Sequence, residues 1–279
     1  MKALVTGGCS YSFDTSNIHT WNYFLAKEYE ESYHTGLDAS GNDFIIRRVI
    51  NQINKIKDQV DEIDCVVLWS GISRKMYVTN KDEYLNHKLI KKHDLAQLKK
   101  WKQIEPDWRS LEIPVDPEKI NTGLVSIDTN DIEDDQYGYT WFVPAITEPR
   151  IQEYYKKFSN LVNDWEQTTF HIYVLQEFCK ANGINLYWGH YTHGYNLVKP
   201  AEHLKWAYNE IDFSKCFSND GMTRWVYENI GPKGFASTYI YRNLGILLQD
   251  PHNHGTHPTE LSHKRFCKSI IRPFIANSK

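Results

Sequence analysis

A chain of 279 residues, 41% hydrophobic and 24% charged with a formal net charge of -3, is long enough to bury a sizeable core, and its mixed signs carry no basic footprint for nucleic acid. Its five cysteines are odd in number and contain no CxxC pair, which argues against a disulfide framework or a zinc knuckle and fits a reducing compartment. The first apolar stretch is too short for a signal-peptide core and no later run approaches a membrane span, so the expectation is a cytoplasmic protein without a membrane partner.

Lys2–Thr6 (KALVT) reads as a short buried strand stopped by Gly7 and Gly8, and TWNYFLAKEYEE after it as a helix. Behind a capping region at Ser40 and Asn42, Ile46, Val49, Ile50, Ile53, Ile56 and Val60 recur at helical spacing, the clearest helix in the chain. Asp64–Trp69 (DCVVLW) is a continuous apolar run of strand length, and strand, helix, helix, strand points to a parallel α/β sheet.

From about 76 to 150 the composition shifts: a lysine-rich part, then DTNDIEDD, with five of the ten prolines between Pro106 and Pro149. This reads as an insertion in one domain spanning residues 1–279, because the α/β pattern resumes beyond it. Residues 151–182 carry helical spacing (Tyr154, Phe158, Leu161, Trp165, Tyr173, Val174, Phe178) for one long helix or two shorter ones, and INLYWG follows as a strand. Near the C-terminus, Thr259 or a neighbour caps a last helix whose Leu261, Phe266, Ile270 and Ile271 are expected to face the core.

Hydroxyl nucleophiles need an exposed oxygen, a base within reach and donors aimed at the developing oxyanion. Ser10 stands at a glycine-rich turn after the first strand, and HNHGTHPTELSH supplies histidines before the last helix. This block order resembles the SGNH or GDSL family of serine esterases and lipases. Gly8-Cys9-Ser10 matches the nucleophile block with cysteine for aspartate, His257-Pro258-Thr259 matches the catalytic-histidine block, and Ser40-Gly41-Asn42-Asp43 matches the oxyanion-glycine block. Trp69-Ser70-Gly71-Ile72-Ser73-Arg74 lies where the third block belongs.

The likeness covers about residues 1 to 75 and 150 to 279. It implies a flavodoxin-like fold with a parallel central sheet and metal-free ester hydrolysis; the insertion has no counterpart in it, and the reading adopted is a three-layer α/β/α domain, needing no cofactor, with the insertion as a lid over the strand ends. Ser10 is then the nucleophile, His257 the base, and Gly41 an oxyanion donor. Two departures stand out. The third block lacks its asparagine, for which Asn42 is a candidate substitute; three residues before His257 stands His254 rather than aspartate. Asp250 reaching back would complete a triad, and backbone support alone would leave a dyad.

Ser70, Arg74 and His190 are candidate substrate contacts, Arg74 as an anion clamp. Two other chemistries use neighbouring residues: a divalent-metal site from His190, His193, His252, His254, His257 and His263, matching no compact zinc spacing, and Cys9 as a thiol nucleophile. Eighteen tyrosines and nine tryptophans, among them Trp101, Trp108, Tyr137, Tyr139 and Trp141 in the insertion, suggest a small-molecule or glycan ester, since sugar faces stack on flat rings. A non-catalytic carbohydrate-binding relative and an acyltransferase are the alternatives on the same scaffold.

Overall fold

A computed structural model describes residues 1–13, 19–37, 40–80, 124–125, 137–142, 153–154, 156–158, 161–191, 205–218, 220–231, 234–235 and 257–278. The chain divides into two compact units, one of residues 1–75, 159–236 and 257–279, the other of residues 76–158 and 237–256.

In the first unit, β1 (Lys2–Gly8), β2 (Glu31–His34), β3 (Glu62–Trp69), β7 (Asn185–His190) and β8 (Cys216–Ser218) form one sheet in the order β2-β1-β3-β7-β8, with every neighbouring pair parallel. Such a sheet is covered on both faces, so its central strands are apolar throughout rather than alternating. β1 and β3 are buried from Ala3 to Gly8 and from Ile63 to Trp69.

α2 (Asn42–Ile56) and α3 (Leu161–Ala181) cover one face, where Ile45, Val49 and Ile53 meet Val5, Val67, Trp69, Trp165, Ile172 and Trp188. The other face meets α1 (Trp21–Ala26), α5 (Met222–Ile230) and the C-terminal helices α6 (Glu260–Phe266) and α7 (Arg272–Asn277), with Leu4, Leu68, Trp21, Leu25, Val226 and Phe266 in contact. The expected three-layer α/β architecture is thus present, and α4 (Lys205–Asn209) adds a short turn before β8.

Several local expectations shift. The helix expected over 20–31 ends at Ala26, because residues 31–34 leave it to pair with β1, Ala3 opposite Glu31. α2 is capped by Gly41 without a side-chain bond. The Ser40 hydroxyl donates instead to the Leu37 carbonyl, 2.9 Å. Thr259 does cap α6, accepting from the Ser262 N–H.

Leu261 is 52% exposed rather than core-facing, because the Ser262 hydroxyl donates to the Gly234 carbonyl, 2.6 Å, and turns that face inward. A π-turn over Cys267–Ile271 then widens the spiral to an i→i+5 spacing. Phe266 and Ile271 therefore share the buried side. Phe158, expected at a helical apolar position, is exposed.

In the second unit, β4 (Lys75–Asn80, reached from the first), β5 (Leu124–Val125) and β6 (Tyr137–Phe142) make a separate sheet in the order β4-β6-β5. β5 and β6 run antiparallel, with Leu124 opposite Thr140. Among the described residues no helix is long and apolar enough to cross a membrane.

Candidate active site

β1 ends at Gly8, whose added Cβ would lie 2.2 Å from Ser12 Oγ and 2.9 Å from the Leu68 carbonyl, so only glycine lets the chain bend this tightly after the strand. A 3-10 turn over Ser10–Ser12 follows, with Ser12 N–H donating to the Cys9 carbonyl at 2.8 Å. Three side chains at this turn carry a nucleophilic atom, and they fare differently. Cys9 is fully buried in the core beneath α1 and α6. Ser12 is buried, accepting at Oγ from the Trp21 indole N–H (3.0 Å) and at its carbonyl from the Asn22 amide (3.2 Å). Ser10 alone is half-exposed, and its Oγ lies 2.6 Å from His257 Nε2.

His257 reaches this position because the chain on its C-terminal side is pinned. Pro258 bridges to Phe235, and Thr259 N–H and Ser262 Oγ both donate to the Gly234 carbonyl. The imidazole packs on the Tyr11 ring, centroids 5.0 Å apart, which restricts its rotation about Cβ–Cγ. A neutral imidazole accepting from a serine hydroxyl at this distance is in position to take its proton in an attack on an acyl carbon.

Thr35 N–H donates to the Thr6 carbonyl and Leu37 N–H to the Gly8 carbonyl. This segment leads to Gly41, the N-cap of α2, whose added Cβ would stand 2.7 Å from the Arg74 carbonyl oxygen. Among the described residues none accepts a hydrogen bond from the Ser10 or Gly41 N–H. Both are donors of the kind that orphaned N–H groups at turn and helix starts provide.

Asn42 is differently employed. Its Oδ1 accepts from the Ser70 N–H (2.8 Å), and its Nδ2 donates to the Ser70 carbonyl (3.3 Å) and to Thr168 Oγ1 (3.1 Å). This reciprocal pairing holds the turn after β3 against α2, so the amide expected as a substitute oxyanion donor is engaged in positioning that turn. Ser70 is buried with it. Its Oγ accepts from Arg74 Nη1 at 3.3 Å, and Arg74 lies over the Tyr191 ring, 5.2 Å from the centroid.

His190 is buried at the end of β7, opposite Trp69 and edge-on to Trp188 at 5.6 Å. Its register puts it on the α2–α3 face of the sheet, away from the core that contains Tyr11. Asp250, His254, His193 and His252 lie outside the described residues, as do Trp101 and Trp108. Of the remaining insertion aromatics, Tyr137, Tyr139 and Trp141 fall on the β6 backbone.

Sequence reasoning did not single out Tyr11 or Tyr191, whose tilted rings lie 4.6 Å apart, with Tyr11 also against His257. Their signal is adjacency, one following Ser10 and the other following β7. His263 stands edge-on to Tyr11 at 6.5 Å, buried on α6. Burial first, then the charge of His257, drives its pKa down to about 3.

Burial likewise lowers His171 to about 4, helped by the Lys75 and Arg47 charges, and pushes His190 well below its usual range. The unfolded chain takes up these protons near pH 6.5, but the folded one does not until far lower. Stability is therefore lost as pH falls from about 6.5, at up to about 1.4 kcal/mol per pH unit for each histidine. Urea midpoints are expected to drop clearly between about pH 7.5 and pH 5; equal midpoints would contradict three imidazoles held neutral in the fold.

In comparisons with known proteins, no family model and no curated protein matches the chain.

Proposed function

We propose that the protein hydrolyses carboxylic esters by serine nucleophilic catalysis. The observation that carries this reading is the 2.6 Å contact between Ser10 Oγ and His257 Nε2, two side chains from opposite ends of the sequence. The SGNH-like order of the blocks around Ser10, Gly41 and His257 supports it.

In this mechanism Ser10 Oγ attacks the acyl carbon while its proton passes to His257 Nε2. The oxyanion is held by the Ser10 and Gly41 N–H groups. Collapse of the tetrahedral intermediate breaks the ester C–O bond, and His257 returns the proton to the departing alkoxide as an alcohol. A water, deprotonated by the same imidazole, attacks the acyl-serine; a second collapse releases the acid and regenerates Ser10. Transfer to another alcohol would replace water in the second half without changing the residues. Without the family's asparagine, one oxyanion donor fewer acts, a loss of typically about 2.7–4 kcal/mol of transition-state stabilisation, so slow turnover is expected.

The test is a panel of p-nitrophenyl esters of graded acyl length with the wild-type protein and Ser10→Ala. Release of p-nitrophenol by the wild type and its loss in the variant are the expected results. Equal release by both overturns the reading.

A further inference from the structure

We infer that Asn22, at the start of α1, is a positioning residue for the nucleophile: its amide fixes the turn that carries Ser10 relative to the helix that begins beside His257. This deepens the hydrolase reading and rests on it.

The 3-10 turn over Ser10–Ser12 is closed by two backbone bonds, Ser12 N–H to the Cys9 carbonyl (2.8 Å) and Phe13 N–H to the Ser10 carbonyl (3.5 Å), the second of them long for a hydrogen bond. Such bonds close the turn but do not set where it sits against the rest of the fold.

Contacts to Ser12 do that. Its carbonyl oxygen accepts from Asn22 Nδ2 at 3.2 Å. The same oxygen is also faced by Gly36, where an added Cβ would stand 2.0 Å from it. Gly36 is held in turn, since the N–H groups of Thr35 and Leu37 on either side donate to the Thr6 and Gly8 carbonyls of β1. Ser12 Oγ accepts from the Trp21 indole N–H at 3.0 Å. The chain two residues beyond Ser10 is therefore gripped at its backbone and its side chain by neighbouring residues of one helix.

Asn22 is fully buried beside Trp21 and Leu25, where an apolar side chain would need no partners. A buried amide costs free energy unless its polar atoms are paired. Both are: Nδ2 donates to the Ser12 carbonyl, and Oδ1 accepts from the Thr20 hydroxyl.

α1 is also joined to the helices that follow the base. His19 N–H, just ahead of α1, donates to Glu260 Oε2 on the first residue of α6 at 3.2 Å, and Arg272 Nη2 on α7 donates to the Phe24 carbonyl at 2.7 Å. α6 opens at its Thr259 cap, directly after His257-Pro258. α1 is thus a strut between the turn that bears Ser10 and the helix that follows His257, and the 2.6 Å contact joins the two ends of that strut. A misplacement of about 1 Å at a reacting atom can cost about 10²-fold in rate.

The test is modification of Ser10 by an alkyl fluorophosphonate, in which Oγ displaces fluoride from phosphorus while His257 takes the proton. Mass spectrometry at graded probe concentrations gives the limiting first-order rate and the half-saturating concentration. Four proteins are compared. Asn22→Asp keeps the shape and removes the donor. Asn22→Leu is apolar and close in size, so it remains informative should a buried carboxylate prevent folding. Leu25→Ala takes core packing from the same helix without touching a bond to the turn, and wild type is the reference.

The limiting rate is expected to fall about ten- to hundredfold in both Asn22 variants, with the half-saturating concentration within about twofold of wild type. The pH midpoint of the rate, which belongs to His257, is expected not to move. Leu25→Ala is expected to lower the thermal midpoint and to keep the limiting rate within about twofold.

Limiting rates in the Asn22 variants within about twofold of wild type overturn the inference and leave the hydrolase reading standing. A loss confined to the half-saturating concentration, or one that Leu25→Ala reproduces, does the same. Failure of the probe to modify Ser10 in the wild type overturns the hydrolase reading and the inference with it.

Discussion

Replacing His257 with asparagine is expected to lower ester turnover by about 10²–10⁴-fold, the contribution of a positioned general base. The asparagine amide can still fill space on the Tyr11 ring, where the imidazole packs at 5.0 Å, but it cannot take the Ser10 proton. Because the base acts in its neutral form, wild-type turnover is expected to rise with pH as His257 deprotonates and then to level off. The variant should lose that rise, its residual rate following hydroxide alone. Ser10 and His257 act as a unit, so the double substitution is expected to be no slower than the worse single one. His263, held neutral down to about pH 3 by burial, contributes no step to the profile in the neutral range. A His257→Asn rate within a factor of about two of wild type would show that the 2.6 Å contact does not move the catalytic proton, since such a base is worth far more.

The largest expected effect on stability lies at Lys75. Its ammonium is 2.6 Å from Gln167 Oε1 and 3.3 Å from Asp164 Oδ1, with the Lys75 and Asp164 side chains 7% and 1% exposed. Removing one member of a buried pair leaves the other's charge desolvated, which costs about 3–5 kcal/mol, whereas replacing both with apolar groups is often close to neutral. Lys75→Met is therefore expected to lower the urea midpoint sharply, and Lys75→Met combined with Asp164→Leu to recover most of the loss.

The pair has a second consequence. Asn42 pins Ser70, and Lys75 pins the other end of the same turn to α3, with Arg74 between them. Lys75→Met should then also loosen the turn that Asn42 holds against α2. Equal midpoints for wild type and Lys75→Met would mean that solvent reaches the pair.

The elements that the sequence made legible are those with one dominant local signal. β1 and β3 are uninterrupted apolar runs, α2 has an apolar stripe at helical period, and α6 begins at the Thr259 cap. Ser10 and His257 stood out because each sits at a punctuated junction, glycines before one and a proline after the other.

What stayed hidden depends on contacts distant in sequence. β2 is an edge strand whose EESYH neighbourhood is mostly exposed, so no apolar alternation marks it. β8 spans three residues and is recognisable only beside β7. Asn42 looked like a free amide near a helix start, and only the fold reveals that Ser70 occupies it. Lys75 and Asp164, 89 positions apart, carry no local signal, and only the fold brings them together. The Ser262–Gly234 bond turns Leu261 outward, and the π-turn over Cys267–Ile271 resets the spacing after Phe266, neither of which regular helical spacing shows.

The central claim is that His257 activates Ser10 and no other nucleophile in the turn. The most direct measurement is peptide mapping of the covalent adduct formed by an alkyl fluorophosphonate with the wild type and with His257→Asn. The account predicts a single adduct on Ser10 that is lost, or formed far more slowly, without the imidazole. An adduct on Ser12 or Cys9, or equally fast modification of Ser10 in the variant, would contradict it.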